Sequence, residues 1–183
     1  MTPDAVIETL KTLVDADKVR VDAESLDNWG KDWTKHFAPA PLAIVFPKTV
    51  EQVQAIVRFA NEQKLALVPS GGRTGLSAAA VAANGEIVVS FDYMNQIGEF
   101  NAYDRTVVCQ PGVVTAQLQQ FAEEKGLYYP VDFASAGSSQ IGGKALTAPP
   151  SAMSAPSSCA PNLPKRTGSH THTQHTHTQH MHT

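Results

Sequence analysis

The stretch VPSGGRTGLSAAA (residues 68–80) places three glycines, Gly71, Gly72 and Gly75, and the hydroxyls of Ser70, Thr74 and Ser77 around one arginine, Arg73, directly after an apolar run. A backbone this bare suits an ordinary turn, a nucleotide phosphate cradle or a loop that seats a larger cofactor. A P-loop requires a Gly-Lys-Ser/Thr ending so that a lysine reaches the phosphates, and here Gly75 precedes Leu76. The dinucleotide fingerprint G-x-G-x-x-G does not match the spacing of the glycines, and a further strand follows where a helix is required. What remains is general: consecutive glycines let main-chain N–H groups converge on one anion without side chains in the way.

On the amino-terminal side, LAIVF (residues 42–46) is a short apolar run stopped by Pro47, as expected of a strand buried on both faces. Thr49 is placed to cap a following helix, with Gln52 three residues on as in a capping box, and Val50, Val53, Ile56, Val57 and Ala60 recur at helical spacing. LALVP (residues 65–69) reads as a second strand and completes a βαβ unit that runs into the glycine loop. On the carboxyl side, EIVVSF (residues 86–91) is a third strand, and IGEFNA with TVVCQPG forms a hairpin turning at Tyr103, Asp104 and Arg105. Residues 113–127 then form a helix with Val113, Leu118 and Phe121 on one side and Gly126 as a left-handed stop. A parallel unit followed by antiparallel pairing makes the fold class α+β.

The chain has 183 residues, enough for one domain with a sizeable core. Its formal net charge of -3, with Lys and Arg scattered singly, argues against a nucleic-acid surface and for small-molecule partners. Cys109 and Cys159 stand far apart in dissimilar contexts, so neither a disulfide framework nor a paired-cysteine metal site is expected. No apolar run approaches the roughly 18 residues of a membrane span. MTPDAVIETL carries acid where a targeting peptide carries base, so the expected location is cytoplasmic.

The chain divides into a helical lead-in (residues 1–40), a main domain (residues 41–143) and a tail (residues 144–183). From Ala145 onward the tail holds no acidic residue, no aromatic, no Val and no Ile, and is expected to be disordered. Its His/Thr-rich end, residues 170–183, spaces imidazoles without the fixed geometry a metal site needs, so no metal ligand is assigned.

A second bare stretch, YYPVDFASAGSSQIGGK (residues 128–144), clusters Gly137, Ser138, Ser139, Gly142 and Gly143 after a Pro-Val-Asp. In this order, FPKTVEQVQAIVRFANEQKLALVPSGGRTGL, VVCQPGV and YPVDFASAGSSQIGG resemble the FAD-binding domain of the p-cresol methylhydroxylase type, in the vanillyl-alcohol oxidase superfamily. NWGKDWTKHFAPAPLAIVFPKTVEQV is most similar to the branch of FAD-linked D-lactate, D-2-hydroxyglutarate and glycolate oxidoreductases. The resemblance covers about Ser25 to Gly143.

The resemblance implies that Pro69, Ser70, Gly71, Gly72, Arg73, Thr74, Gly75, Leu76 and Ser77 form the loop that wraps the FAD diphosphate. It implies that Gly137, Ser138, Ser139, Ile141, Gly142 and Gly143 lie against the flavin and its ribityl chain, and that Asp132 either contacts the cofactor or caps the following turn. Some superfamily relatives attach FAD through a histidine in the first loop. Arg73 stands at about that place here, which implies non-covalent FAD. In the whole family enzyme the hydroxyl of a D-2-hydroxy acid is deprotonated while its α-hydride passes to flavin N5.

Two departures qualify the match. Many relatives carry glycines where this chain has Ala78, Ala79 and Ala80. After Gly143 relatives continue with Asn and a run such as ATNAGG, and their substrate cap lies further on; here Lys144 opens the tail, so no catalytic residue is assigned. The expectation is the amino-terminal part of a larger flavin-dependent oxidoreductase, its tail arising from a frameshift, a premature stop or a mispredicted gene end. The alternatives are an inactive fragment and a separate FAD subunit completed by a partner. His36 reads as a surface loop histidine, Cys109 as a packed small residue, and Trp29 and Trp33 as anchors of the lead-in.

Overall fold

The computed structural model describes residues 1–34, 36–131 and 134–143. The expectations for Asp132 and for residues 144–183, the histidine repeat included, fall outside them.

Helix α1 (Pro3–Leu13) opens with Thr2 as its cap and buries Val6 and Leu10. A short 3-10 turn leads into β1 (Val19–Arg20), then α2 (Ala23–Gly30), capped by Asp22. Next come β2 (Ala43–Val45), α3 (Val50–Gln63), β3 (Leu67–Ser70) and β4 (Ile87–Ser90). The four strands form one sheet in the order β1-β2-β4-β3, with β1 antiparallel and the other three parallel. The expected βαβ unit is present, but β4 is inserted between its two strands.

The LAIVF run behaves as its composition requires: Ala43, Ile44 and Val45 are fully buried. On one face Ala43, Val45, Ile87 and Val89 pack against Val6, Leu10 and Val14 from the α1 segment and Ile56 from α3. On the other, Ile44, Phe46 and Val88 pack with Ala82 and the flanking Leu26 and Trp29 of α2. The sheet is therefore covered on both sides, as parallel strands require.

Thr49 caps α3 by accepting the Gln52 N–H at 3.3 Å, while the Gln52 side chain accepts from the Lys48 N–H at 2.7 Å, one residue earlier than a capping box places it. Two residues expected on the buried face are not there: Val50 and Val57 are 57% and 43% exposed. The face that packs is centred on Ile56 and Ala60, with Phe59 beside them. The bulkier Phe59 settles the rotation of a helix whose apolar residues extend around more than one stripe.

Beyond β4 the pairing turns antiparallel. Strands β5 (Ile97–Asn101) and β6 (Thr106–Cys109) form the expected hairpin, whose turn is held by the Asn101 side chain accepting the Tyr103 and Asp104 N–H groups. Helix α4 (Thr115–Glu124) is shorter at both ends than the 113–127 pattern suggested. Val113 is buried but precedes it, Phe121 meets Phe100 of the hairpin edge to face at 6.1 Å, and Gly126 takes the left-handed φ of +69° beyond its end.

Candidate functional site

In a parallel sheet the free backbone groups at the carboxyl ends of the strands, together with the loops that leave them, make the natural ligand crevice. Ser70 pairs with Ser90, so β3 and β4 end side by side. The glycine loop leaves from Ser70 and the segment carrying Asp92 leaves from Ser90.

Within the first loop, none of the main-chain N–H groups of residues 71–77 donates to a described backbone or side-chain acceptor. Residues 71–74 are half-buried and 75–77 exposed. Arg73 sits in the left-handed region at φ 56°, a conformation that costs a non-glycine residue roughly 1–2 kcal/mol. Its guanidinium folds back to donate to the Gly71 carbonyl at 3.1 Å and lies 5.4 Å from the Trp29 ring, on the protein side of the loop.

The second segment, residues 134–143, lies directly against the first. A Cβ on Gly72 would stand 2.0 Å from the Ser138 carbonyl oxygen, and one on Gly71 3.2 Å from Gln140 Oε1. The segment is strapped to the start of α4: Thr115 donates through both N–H (2.9 Å) and Oγ1 (3.0 Å) to the Ser139 carbonyl, Ile141 N–H to Val113 O (2.8 Å), and Gly142 N–H to Pro111 O (2.8 Å). Ser139 is buried, Ser138 exposed, and Ile141 half-buried.

The glycines of the two segments thus divide by role. Gly71, Gly72 and Gly142 give up their Cβ to protein neighbours, Gly142 because Pro111 Cβ would be 2.7 Å away. Among the described residues, a Cβ at Gly137 or Gly143 would meet nothing within 4 Å, and one at Gly75 would meet Asp32 Oδ2 at 3.6 Å.

Three side chains of the site escaped sequence reasoning: Asp92, Gln140 and Asp32. Asp92 accepts from Gln140 Nε2 (2.7 Å) and Trp29 Nε1 (2.7 Å) and lies 3.5 Å from Arg73 Nη1. Asp32 accepts from the Thr34 N–H and hydroxyl through one oxygen, while the other points at the loop beside Gly75. Asp32 Oδ2, Ser70 Oγ and Gln140 Oε1 are buried without a hydrogen-bond partner among the described residues. All three flank the glycine loop, whereas such groups are ordinarily paired. The one legible signal was Asp92's place just past the end of a fully buried parallel strand.

Trp29 anchors the lead-in as expected, through Asp92 and an edge-to-face contact with Phe46 at 5.3 Å. Trp33 does not: it is 67% exposed and lines an open cleft of about 540 Å³ with His36, Phe37, Leu76 and Ala78. It lies in a loop, where its backbone N–H donates to Gly75 O. His36 is exposed beside Phe37. Burial pushes the Cys109 thiol up, so it is protonated at neutral pH and poorly suited to act as a nucleophile. Among the described residues no helix is long and apolar enough to cross a membrane.

Ala78, where many relatives of the resemblance carry glycine, has a φ of +59°. Ala78→Gly is therefore expected to stabilise the chain by about 1 kcal/mol. A rise of roughly 4 °C in the thermal midpoint would record it, and an unchanged or lower midpoint would show that the turn is not strained.

A family model described as the FAD binding domain matches residues 41–155. D-2-hydroxyglutarate dehydrogenase from Stutzerimonas stutzeri (strain A1501) is 81% identical over 143 residues, covering 78% of this chain and 31% of that protein. The enzyme of the same name from Xanthomonas citri pv. viticola is 49% identical over 144 residues, covering 79% and 30%. The chain therefore spans about three tenths of the length of these curated relatives. Among solved structures, p-cresol methylhydroxylase with substrate bound superposes with a TM-score of 0.59 at 26% identity, over 68% of this chain and 25% of that one. Alkyldihydroxyacetonephosphate synthase superposes with a TM-score of 0.71 at 20% identity, over 79% and 29%, and supports the fold alone. With the family match extending over more than half of its length, the chain belongs to the FAD binding domain family.

Proposed function

We propose that this chain seats a dissociable FAD and forms the cofactor domain of a D-2-hydroxy-acid oxidoreductase, with D-2-hydroxyglutarate as the first substrate to test. The observation that carries the cofactor assignment is the row of N–H groups at residues 71–77 that no acceptor among the described residues engages, at the carboxyl end of a parallel strand. Such a row suits a diphosphate, whose oxygens only accept. The open sides of Gly75 and Gly137, and the Ser70 hydroxyl that has no hydrogen-bond partner among the described residues, fit a large cofactor laid along both segments. FAD would be held by residues 69–77 and by Gly137, Ser138, Ser139, Ile141, Gly142 and Gly143, with Arg73 turned inward and offering no covalent attachment. When bound, the flavin supplies a hydride acceptor; this chain's part is to orient it and to keep its diphosphate desolvated. The substrate class rests on the D-2-hydroxyglutarate dehydrogenases that the chain resembles over 143 and 144 residues.

The test is titration of FAD into the purified chain, following fluorescence quenching and thermal midpoint. Saturable quenching, with about 2.7 kcal/mol of stabilisation at a hundredfold excess over Kd, is expected, as is loss of the flavin on gel filtration in denaturant. No saturation by a cooperatively melting chain would overturn the cofactor assignment, and flavin that survives denaturation would overturn dissociable binding. D-2-hydroxyglutarate is expected to leave the bound flavin oxidised, because no catalytic base is assigned among residues 1–143; bleaching would place a working substrate site in this chain.

A further inference from the structure

Three hydrogen-bond donors from three separate parts of the chain converge on Asp92. Its Oδ1 accepts from Gln140 in the second glycine segment, and its Oδ2 from Trp29 on α2, both at 2.7 Å. Arg73 of the first glycine loop approaches the same Oδ2 at 3.5 Å. An indole, a primary amide nitrogen and a guanidinium all donate, so an anion with two acceptor oxygens can satisfy them together, whereas a neutral amide would set its own NH₂ against one donor. Bonds to an ionised acceptor are also roughly twice as strong as neutral ones. With Asp92 and Arg73 side chains 27% and 30% exposed, the 3.5 Å ion pair contributes little by itself, and the two short bonds carry the junction.

We propose that Asp92 is the positioning residue of the cofactor seat: one carboxylate fixes the spacing between the two glycine segments and braces both on α2. FAD affinity then depends on it although both its oxygens are committed to protein donors. The inference rests on the FAD reading above. Its physical content is preorganisation. Arg73 holds a left-handed φ of 56° at the loop's centre, a state that persists only where the surroundings over-determine it, and those surroundings are Asp92, Trp29 and the Gly71 carbonyl. The same carboxylate turns Gln140 so that its Nε2 faces Asp92 and its Oε1 faces Gly71. Losing it loosens both segments at once.

The test uses the 183-residue chain with Asp92→Ala and Asp92→Asn. Without FAD, tryptic cleavage after Arg73 reports the first loop, and amide exchange at Ser138, Ser139, Ile141 and Gly142 the second, with cleavage after Arg58 in α3 as the internal control. In Asp92→Ala both reporters are expected to quicken about tenfold, with Arg58 unchanged, and FAD affinity to fall about tenfold. Asp92→Asn, which keeps one acceptor, is expected to recover part of each effect, and Gln140→Ala added to Asp92→Ala to cost no further affinity. If Asp92→Ala does not melt cooperatively, Asp92→Asn against wild type carries the comparison. Quickening in one segment only, or FAD affinity within twofold of wild type, would overturn the proposal. A wild-type chain that binds no FAD would defeat the proposed function instead, and the paired quickening would then decide the role of Asp92 alone.

Discussion

Gly72→Ala is expected to cost about 3 kcal/mol of stability and to weaken FAD binding about a hundredfold. The reason is not backbone torsion, because Gly72 lies outside the left-handed region that favours glycine. It is the neighbour. The added Cβ would stand 2.0 Å from the Ser138 carbonyl oxygen, 2.8 Å from its carbon and 3.0 Å from the Ser139 Cα. All three are backbone atoms, so no rotamer change relieves the clash. Ser139 cannot give way cheaply either, since its carbonyl accepts two bonds from Thr115 at the start of α4. The first loop has to lift off the second segment, which breaks the geometry on which a diphosphate and a flavin would be held together. Gly137→Ala is the control for stability alone: among the described residues its Cβ would meet nothing within 4 Å, so a stability change below about 0.5 kcal/mol is expected, while its methyl would point into the space proposed for the cofactor. Thermal melts of the two variants, with an FAD titration of Gly72→Ala, decide the matter. If Gly72→Ala melts as the wild type does and keeps its FAD affinity, the contact between the two segments is not what shapes the seat.

The elements that could be read from the sequence are those whose signal is local. Ala43, Ile44 and Val45 form an unbroken apolar run between prolines because β2 is buried on both faces, and burial on both faces removes alternation. Thr49 announces α3 because an N-cap is a property of four consecutive residues. The hairpin is legible from the turn residues Tyr103, Asp104 and Arg105, and the structure adds the Asn101 side chain that holds the turn. The glycine loop and the 137–143 segment stood out because a bare backbone is rare, and their kinship with the FAD-binding domain is what the family match bears out.

What could not be read is long-range. No pattern states that β4 enters between β2 and β3, although that placement is what brings Ser90 beside Ser70. β1 has two residues, too few to show a period. The Asp92 bonds to Gln140 and Trp29 span 48 and 63 residues, and nothing around Asp92 marks it apart from its position past a strand end. The glycines were legible as a class but not by role. Consecutive glycines read as freeing main-chain N–H groups for an anion, and the structure adds that at Gly71, Gly72 and Gly142 the missing Cβ also makes room for neighbouring protein atoms.

Gly112→Ala tests the same architecture from a site outside both segments, and is expected to cost about 3 kcal/mol and most of the FAD affinity. Gly112 follows β6 and lies in the turn made by residues 91–94, where its N–H donates to the Met94 carbonyl at 2.7 Å. A Cβ there would be 2.0 Å from the Phe91 carbonyl oxygen and 2.8 Å from that of Met94. The turn under strain contains Asp92. The strand of chain carrying Gly112 continues through Pro111, Val113 and Thr115, whose backbone groups hold Gly142, Ile141 and Ser139. One methyl group therefore pushes the support of the second segment away from the end of the parallel sheet that bears the first. Gly126→Ala separates this from a generic glycine effect. Gly126 has a positive φ of 69° and open space around it, so alanine should cost about 1 kcal/mol of strain and leave FAD binding unchanged. Amide exchange at Ser139, Ile141 and Gly142 is expected to quicken in Gly112→Ala and not in Gly126→Ala. Equal effects of the two variants on exchange and on FAD affinity would mean that the second segment does not depend on this junction, and that its docking must be sought in its own sequence.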